Sequence, residues 1–321
     1  MREGDQANST AGEEADNSMD IGVIGVGVMG RNHVRVYSEL KLAANVFVYD
    51  VNYQAATGVA LANDATACDT IENLLESVDA VSICVPTPYH REVGQKVLAA
   101  GVHLLMEKPI CATTREAREL LALRSEDQVF GVGHIERFNP IVPEIRRIIR
   151  KPLFVEINRH NPASARAVEA SVIEDLMIHD LDILQHVLFG HPRELSAAGS
   201  LDAASALFRF NTTAAFISAS RKSSKKIRRI YIEEEDLTVE GDFMNQEVFT
   251  YYKPGKYGVE NERYVQENII EKVMVNKVEP LKVELQTFLE CVSQKKPFPV
   301  TPEQAVENLA LCERIREAVL R

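Results

Sequence analysis

The sequence has few cysteines, no long apolar run and no excess of positive charge. Its five cysteines are odd in number and lack the paired spacings that hold zinc, so we expect reduced thiols, no metal site and a cytoplasmic protein. No apolar stretch approaches the length of a membrane span, and residues 1–18 lack the apolar segment of a signal peptide. The formal net charge of −11 argues against nucleic acid or a membrane as a partner, because both attract clustered positive charge.

The composition that remains is typical of a globular protein that handles small molecules. Hydrophobic residues make up 45% and charged residues 26% of a chain of 321 residues, which is long enough for two domains. We expect a disordered acidic tail over 1–19, a dinucleotide-binding domain over 20–133 and a substrate and oligomerisation domain over 134–321. The C-terminal helices could pack back on the first domain.

A glycine-rich turn is the most informative motif. An apolar strand at 21–24 runs into the spacing Gly-x-Gly-x-x-Gly. In a dinucleotide-binding unit the three glycines permit a tight turn, a close approach of the backbone to a pyrophosphate, and packing of the helix on the strand. The helix that follows presents free N–H groups and the positive end of its dipole to the phosphates. The residues expected to face the pyrophosphate are Gly25, Gly27, Val28, Met29 and Gly30.

An acidic residue completes this motif. The second apolar strand, 46–49, ends at Asp50, where a Rossmann unit places a carboxylate that can accept hydrogen bonds from both adenosine-ribose hydroxyls. Asp50 would also repel a 2′-phosphate, which favours NAD over NADP as the cofactor. A glycine-rich turn in another kind of α/β protein is the alternative, but strand, turn, helix, strand and acid occur in the order of a dinucleotide-binding unit.

Hydrophobic periodicity predicts two kinds of sheet. Up to about residue 133, short β-branched strands alternate with amphipathic stretches, which is typical of a parallel sheet. After Pro140, strands follow one another with only turn residues between them, which predicts an open, largely antiparallel sheet with one helix-covered face. The fold class is therefore α/β, an N-terminal Rossmann domain plus a C-terminal α/β domain. The predicted strands are 21–25, 46–50, 80–85, 102–106 and 129–132, then 153–158, 194–200, 204–210, 213–220, 227–233, 236–241 and 247–252.

Two turns after predicted strands carry further candidates, because ligands of such sheets bind beyond the carboxyl ends of the strands. The turn after the strand 81–85 reads Pro-Thr-Pro-Tyr-His and could wall the cofactor cleft. The turn after the strand 102–106 reads Glu-Lys-Pro, and its proline would hold the lysine at the cleft. A lone Lys-Pro is, however, more often structural than catalytic. The candidate cofactor-binding residues in these turns are Pro86, Thr87, His90, Glu107 and Lys108.

A carboxylate and an imidazole lie four residues apart on a predicted helix around 173–188. Asp175 and His179 share a helix face at this spacing and could interact directly. A carboxylate beside an imidazole orients it and stabilises its charged form, which a general base in alcohol oxidation needs. The alternative for such a pair is a surface or buried hydrogen bond without catalytic use.

Taken in order, the glycine turn, Glu-Lys-Pro, Arg-Phe-Asn-Pro (137–140) and Asp-x-x-x-His resemble the glucose-fructose oxidoreductase and inositol dehydrogenase family from residue 20 onwards. The resemblance implies a Rossmann domain followed by a domain whose open sheet covers the nicotinamide and supplies the sugar site. It also implies NAD as cofactor, no metal, and Lys108, Asp175 and His179 as catalytic groups. A homodimer or homotetramer that pairs through the second sheet is the expected assembly.

The segments 133–140 and 175–182 resemble the branch of this family that oxidises the 3-hydroxyl of UDP-N-acetylglucosamine or related UDP-sugars. One departure is Val-Ile-Glu before Asp175, where the family often has small residues. A nucleotide sugar also needs cations for its diphosphate, and arginine suits phosphate oxygens. The basic run 221–226 is a further candidate, although a solvated loop or charged sheet edge is the commoner explanation of such a run. The predicted substrate-binding residues are Arg137, Asn139, Arg159 and Arg166.

Other functions stay open on the sequence alone. A dehydrogenase of a free polyol or monosaccharide would act without a nucleotide handle. A protein that only binds NAD would have no use for Lys108 with Asp175 and His179. A glycosidase that uses NAD transiently would show no net NADH production. The sequence also leaves open whether NADH is released or reoxidised in place by a keto acid such as 2-oxoglutarate.

Overall fold

The computed structural model describes residues 18–162, 170–253, 257–260, 263–266 and 269–321. A parallel sheet is formed by β1 (Met19–Ile24), β2 (Ala43–Tyr49), β3 (Thr66–Ala67), β4 (Ala80–Ile83), β5 (His103–Glu107) and β6 (Phe130–Gly133). These strands lie in the order 3-2-1-4-5-6. The strand order reverses between β1 and β4, and such a switch point opens a crevice beyond the carboxyl ends of the strands, where ligands bind.

Helices cover both faces of this sheet, which is why β1 and β4 are buried almost throughout. They are α1 (Val28–Glu39), α2 (Tyr53–Ala62), α3 (Ile71–Leu75), α4 (His90–Ala99) and α5 (Thr114–Leu121). Side-chain oxygens of Asn52, Thr70 and Thr113 accept N–H groups at the starts of α2, α3 and α5. The N-cap of α1 is Gly27, which has no side chain to satisfy those groups.

A second sheet has eight strands. They are β7 (Phe154–His160), β8 (Glu194–Gly199), β9 (Ala203–Phe210), β10 (Thr213–Ser220), β11 (Ile227–Glu233), β12 (Leu237–Asp242), β13 (Glu247–Tyr252) and, after a ribbon of β14 (Tyr257–Glu260) with β15 (Arg263–Gln266), β16 (Ile269–Val273). Their order is β16-β13-β12-β11-β7-β10-β9-β8. All neighbours are antiparallel except β7 and β10, which run parallel.

One face of the second sheet is covered by helices. These are α6 (Ile141–Ile148) and a helical segment over 173–189, in which α7 (Ile178–Asp182) lies between the π-helical turns Ile173–Met177 and Ile183–Phe189. The helices α8 (Pro280–Ser293) and α9 (Pro302–Val319) end the chain. The apolar face of α8 and the first half of α9 belong to the core of the first sheet, whereas the end of α9 packs on the core of the second.

The predicted fold class is confirmed, with a parallel sheet and a largely antiparallel one. Four strands were not predicted: β3, β14, β15 and β16. The division into 20–133 and 134–321 stays a prediction, and the predicted tail lies outside the described residues up to residue 17, while Met19 already belongs to β1. All five cysteines are free thiols. Within the described ranges, no helix has both the length and the apolar character that crossing a bilayer requires.

Candidate active site

The turn between β1 and α1 is shaped for close approach of a ligand. Gly25 has a φ of +93°, and a side chain there would begin 2.8 Å from the backbone nitrogen of Val85. At Gly30 an added Cβ would lie 1.8 Å from the carbonyl oxygen of Gly25, so only glycine lets α1 pack against this turn. Gly27, by contrast, faces open space. The turn therefore exposes backbone N–H groups at the start of α1.

Asp50 lies beside this turn, at the end of β2. Its Oδ2 accepts the N–H of Val26 (2.8 Å) and its Oδ1 accepts the N–H of Asn52 (2.9 Å). These two bonds fix the carboxylate next to the glycine turn. A carboxylate can accept about four hydrogen bonds, so capacity remains for ribose hydroxyls.

The turn after β4 divides into an exposed and a buried part. Pro86 is exposed and Thr87 half-buried at the start of a short 3₁₀ turn. His90 is 1% exposed, with Nδ1 2.9 Å from the carbonyl oxygen of Pro109 and Nε2 2.9 Å from that of Val85. Both of its ring nitrogens therefore tie this turn together and to the one after β5, and the role of His90 in cofactor binding stays a prediction.

Lys108 connects the first sheet with the helical segment that covers the second sheet. It follows β5, and its Nζ donates to the carbonyl oxygen of Asp175 (2.7 Å) and to that residue's Oδ1 (3.3 Å). Its neighbour Glu107 is fixed by a hydrogen bond, because Nε2 of His33 donates to its Oε1 (3.0 Å). Burial alone would raise the pKa of Glu107, but the hydrogen bond from His33 and the charges of His33 and Lys108 bring it below its usual value.

His179 lines the same cavity as Lys108 and Asp175. Burial, followed by the positive charges of Lys108 and Arg159, lowers the pKa of His179 well below its usual value. The imidazole is therefore neutral near neutral pH and can accept a proton. Its Nδ1 is buried and, among the described residues, has no hydrogen-bond partner.

The expected contact between Asp175 and His179 does not form in this structure, since the Asp175 carboxylate binds Lys108 instead. Asp175 lies in a π-helical turn, Ile173–Met177, and its carboxylate is directed to Lys108 rather than to His179. The site thus contains a lysine–carboxylate pair and a separate neutral imidazole.

These groups surround one cavity of about 520 Å³ between the two sheets. Met29 from the start of α1 lies on its wall together with Glu107, Lys108, Asp175 and His179. The cavity thus connects the glycine turn of the first sheet with the helical segment of the second. A ligand in it would contact both halves of the chain.

Protein groups bind three of the predicted substrate-binding residues, of which Arg159 and Asn139 are buried and Arg137 is half-buried. Arg159 is 1% exposed, and its guanidinium binds Asp180 (2.7 Å) and Glu136 (2.7 Å). Alternation along β7 directs Arg159 inward with its apolar neighbours rather than outward to solvent. Although Arg159 lines the cavity, two carboxylates already neutralise its charge. Its predicted role as a cation for a diphosphate stays a prediction.

Arg137 and Asn139 serve the junction between the two halves. Arg137 binds Asp182 with two nitrogens and donates to the carbonyl oxygen of Pro299 (3.0 Å). Asn139 is 2% exposed and donates to the carbonyl oxygen of Phe243 (3.0 Å). Neither residue lines the cavity, and their role in substrate binding stays a prediction. Arg166 lies outside the described residues.

Comparison with known proteins identifies the family of this chain. Residues 19–134 match the model of the Gfo/Idh/MocA oxidoreductases with an NAD-binding Rossmann fold. The UDP-N-acetylglucosamine 3-dehydrogenase of Acidithiobacillus ferrooxidans is 33% identical over 315 residues, which cover 94% of this chain and 97% of that protein. The chain belongs to the Gfo/Idh/MocA family. An inositol 2-dehydrogenase of Serratia proteamaculans is 26% identical over 184 residues, 53% of this chain and 55% of that protein.

Solved structures agree with this membership. That of the Acidithiobacillus ferrooxidans enzyme has a TM-score of 0.84 and 32% identity, covering 94% of this chain and 98% of that one. A levoglucosan dehydrogenase in complex with NADH and L-sorbose has a TM-score of 0.80 at 15% identity, which shows the shared fold. NAD is the cofactor of the Gfo/Idh/MocA family. The open space at Gly27, the uncapped start of α1 and the fixed Asp50 carboxylate fit it.

The sequence reasoning missed two groups of this Gfo/Idh/MocA site. His134 follows β6, and Asp182 ends α7; both are buried, with Nδ1 of His134 4.0 Å from Oδ1 of Asp182. The rings of His134 and His179 meet edge to face at a centroid distance of 6.3 Å. The position of His134 directly after a strand was a usable signal, since such positions form the ligand site.

Proposed function

We propose that this chain is an NAD-dependent dehydrogenase that oxidises the 3-hydroxyl of UDP-N-acetylglucosamine or a closely related UDP-sugar to a ketone. Two things support the proposal. The Acidithiobacillus ferrooxidans relative, whose name states this activity, matches over nearly its whole length, whereas the inositol dehydrogenase matches over about half. The cavity joins an amine, a carboxylate and a neutral imidazole beside the glycine turn.

The meeting of Lys108 with Asp175 and His179 is the observation that carries this proposal. One group comes from the Rossmann sheet and two come from the helical segment of the second half. A protein that only binds NAD needs no such set at the mouth of the cofactor cleft. Oxidation of an alcohol needs a base for its proton and a donor that positions its oxygen.

In the proposed reaction His179 removes the hydroxyl proton, because its imidazole is neutral and lines the cavity together with Lys108. Bound NAD would accept the hydride that leaves the carbon bearing this hydroxyl. Lys108 would donate a hydrogen bond to the sugar oxygen and so orient the hydroxyl toward His179. Asp175 holds the Lys108 ammonium in place through its carbonyl and its carboxylate. Asp175 therefore positions the lysine in this scheme rather than the imidazole.

The diphosphate of a UDP-sugar would bind cations at the rim of the cavity. Arg221, Lys222 and Arg228 line it. Arg228 lies 3.1 Å from Glu136, a carboxylate that it shares with the buried Arg159, so its charge is only partly balanced. Lys226 is the last residue of the basic run 221–226, and its pKa is lowered by the charge of Arg228 and by burial, as expected where cations outnumber acids. We propose Arg228 in place of Arg159 as the main phosphate contact.

We further propose that residues 20–133 bind NAD through Gly25, Gly27, Gly30 and Asp50, and that residues 134–321 bind the sugar. The uncovered face of the second sheet carries half-buried side chains such as Glu156 and Tyr231, which supports assembly of copies into a homodimer or homotetramer. A cytoplasmic location follows from the reduced thiols.

A substrate panel tests the activity. The purified full chain is incubated with NAD and, separately, with UDP-N-acetylglucosamine, UDP-glucose, free N-acetylglucosamine and myo-inositol, with and without 2-oxoglutarate. We expect a product two hydrogens lighter from UDP-N-acetylglucosamine, and weaker or no reaction with the sugars that lack a nucleotide. Absorbance of the reduced cofactor without the keto acid shows whether NADH accumulates. Oxidation of myo-inositol alone would replace the proposal by that of a polyol dehydrogenase.

Two variants test the assigned roles. Lys108→Met and His179→Asn should each lower turnover by a factor on the order of 10² to 10⁴ while NAD binding survives. Lys41→Met is the matched control, because Lys41 is exposed and remote from the cavity. Unchanged turnover in both Lys108→Met and His179→Asn would remove these assignments.

A further inference from the structure

Three buried ring nitrogens lie in a row behind the cavity. His134 is 1% exposed, and among the described residues neither of its ring nitrogens has a hydrogen-bond partner. The buried Nδ1 of His179 also has none there. A buried polar group without a partner costs about 1–3 kcal/mol, so three at one place indicate a function that outweighs stability. Asp182 lies at the far end of the row, 4.0 Å from Nδ1 of His134.

Asp182 is a fixed negative charge. Burial alone would raise its pKa, but the charges of His134 and Arg137 and the hydrogen bonds from Arg137 and Asn308 bring it below the usual value. Arg137 binds both of its oxygens, and Asn308 donates to Oδ1 (2.7 Å). The carboxylate thus stays ionised and cannot turn away from His134. Asp182 therefore provides the negative charge near the two histidines, since the Asp175 carboxylate binds Lys108.

The largest charges that act on the two histidines are cations, apart from Asp182. Burial, opposed by Asp182 and reinforced by Arg137, Lys108 and His186, lowers the pKa of His134 to about 4. Burial and the charges of Lys108, Arg159, His134 and Arg228 lower the pKa of His179. A proton accepted by His179 alone is therefore opposed by these cations, whereas a proton passed to His134 is stabilised by Asp182.

We propose that His134 is a positioning and proton-relay residue that connects His179 to Asp182. The inference rests on the proposed function. As His179 accepts the hydroxyl proton on its cavity-facing nitrogen, the proton on its Nδ1 passes to the facing nitrogen of His134. The proton on Nδ1 of His134 stays between that ring and Asp182, whose negative charge stabilises the imidazolium. One proton enters the row and one positive charge results, so the step balances.

The rings stand too far apart in this structure for a direct hydrogen bond between their nitrogens. Catalytic hydrogen bonds are often long without substrate and shorten in the productive complex. The rings meet edge to face with an interplanar angle of 82°, so rotation can aim a nitrogen of one ring at the other. Rotation alone leaves the two nitrogens beyond hydrogen-bond distance at this centroid separation, so the relay also requires the two side chains to move closer together in the productive complex.

The kinetic test uses His134→Phe and His134→Gln in the full chain. We expect kcat for the proposed oxidation to fall by roughly 10- to 100-fold, with KM for the UDP-sugar nearly unchanged. In mixtures of H₂O and D₂O, the rate should respond to two protons in the wild type and to one in both variants. His191→Gln is the control, because the His191 side chain is 70% exposed. A two-proton response retained in both variants would overturn the relay.

A second readout needs no turnover and separates the two proposals. In ¹⁵N NMR of histidine-labelled full chain, the wild type should hold the His179 proton on Nδ1. His134→Phe should shift this tautomer preference toward a mixture. An unchanged His179 tautomer overturns the relay whatever the activity. A wild-type chain that oxidises no sugar but shows the shift overturns only the proposed reaction.

Discussion

Glu284 offers a direct test of the electrostatics beneath the site. Its carboxyl group is fully buried on α8, and no described residue hydrogen-bonds to either oxygen. Burial raises the pKa of Glu284 well above its usual value, and the charges of Glu107 and Asp182 raise it further. The folded chain thus keeps this proton at pH values at which an exposed glutamate has lost it. We predict that Glu284→Met stabilises the protein.

The expected size follows from what the substitution removes. An unsatisfied buried polar group costs about 1–3 kcal/mol, and methionine fills a similar volume with an adaptable side chain. The stability that Glu284→Met gains over the wild type must grow with pH. The unfolded chain releases the proton of this glutamate near pH ~4.3, whereas the folded chain retains it to higher pH. Because the folded state then binds more protons, wild-type stability is lost as pH rises between the two values, and the variant escapes this loss.

Thermal and denaturant unfolding at about pH 6 and about pH 9 measure the effect. Each kcal/mol shifts Tm by roughly 2–4 °C in a domain of comparable size, so the variant should melt at least about 2 °C higher, with a larger difference at the higher pH. Glu290→Met on the same helix is the control. Its carboxylate is partly exposed and accepts a hydrogen bond from Gln286, so about ±0.5 kcal/mol is expected. A Glu284→Met protein less stable than the wild type at both pH values would refute the reasoning.

Three more predictions separate structural from binding roles. Arg159→Met should destabilise the chain by about 3–5 kcal/mol in guanidinium unfolding, because its two buried carboxylate partners would lose their cation; an unchanged midpoint contradicts this. Gly27→Val should weaken NAD binding in calorimetry at unchanged Tm, whereas Gly25→Val should lower Tm; equal Tm losses would count against the distinction. Arg228→Ala should raise KM for UDP-N-acetylglucosamine at least about tenfold with little change for free N-acetylglucosamine; equal changes for both sugars would remove the diphosphate contact.

The fold could be predicted largely from the sequence, because burial on one or both faces leaves a periodic record. The nearly continuous burial of β1 and the alternating burial at the start of β10 each follow from the sheet in which they lie. Two of the four strands that were missed, β3 and β16, carry no such record. β3 has only two residues, and the side chains of β16 at the sheet edge are mostly exposed, so neither shows a buried face.

The members of the candidate site could be predicted better than their pairing. Lys108, Asp175 and His179 do line one cavity, because positions after strands and on inward helix faces converge in this kind of fold. Which carboxylate serves which base depends on finer geometry. Asp175 binds Lys108 rather than His179, and the ring that meets His179 is that of His134, which comes from a distant part of the sequence.

The arginines show why the substrate contacts were harder to assign. A sequence displays the charge of Arg159 but not the two carboxylates opposite it, which lie 21 and 23 positions away along the chain. A buried charge is tolerated only when such partners neutralise it. Arg159 has two, whereas Arg228 shares one of them and stays 29% exposed at the rim. The cation left for an anionic substrate is therefore the one without a carboxylate of its own, and only the folded chain reveals which arginine that is.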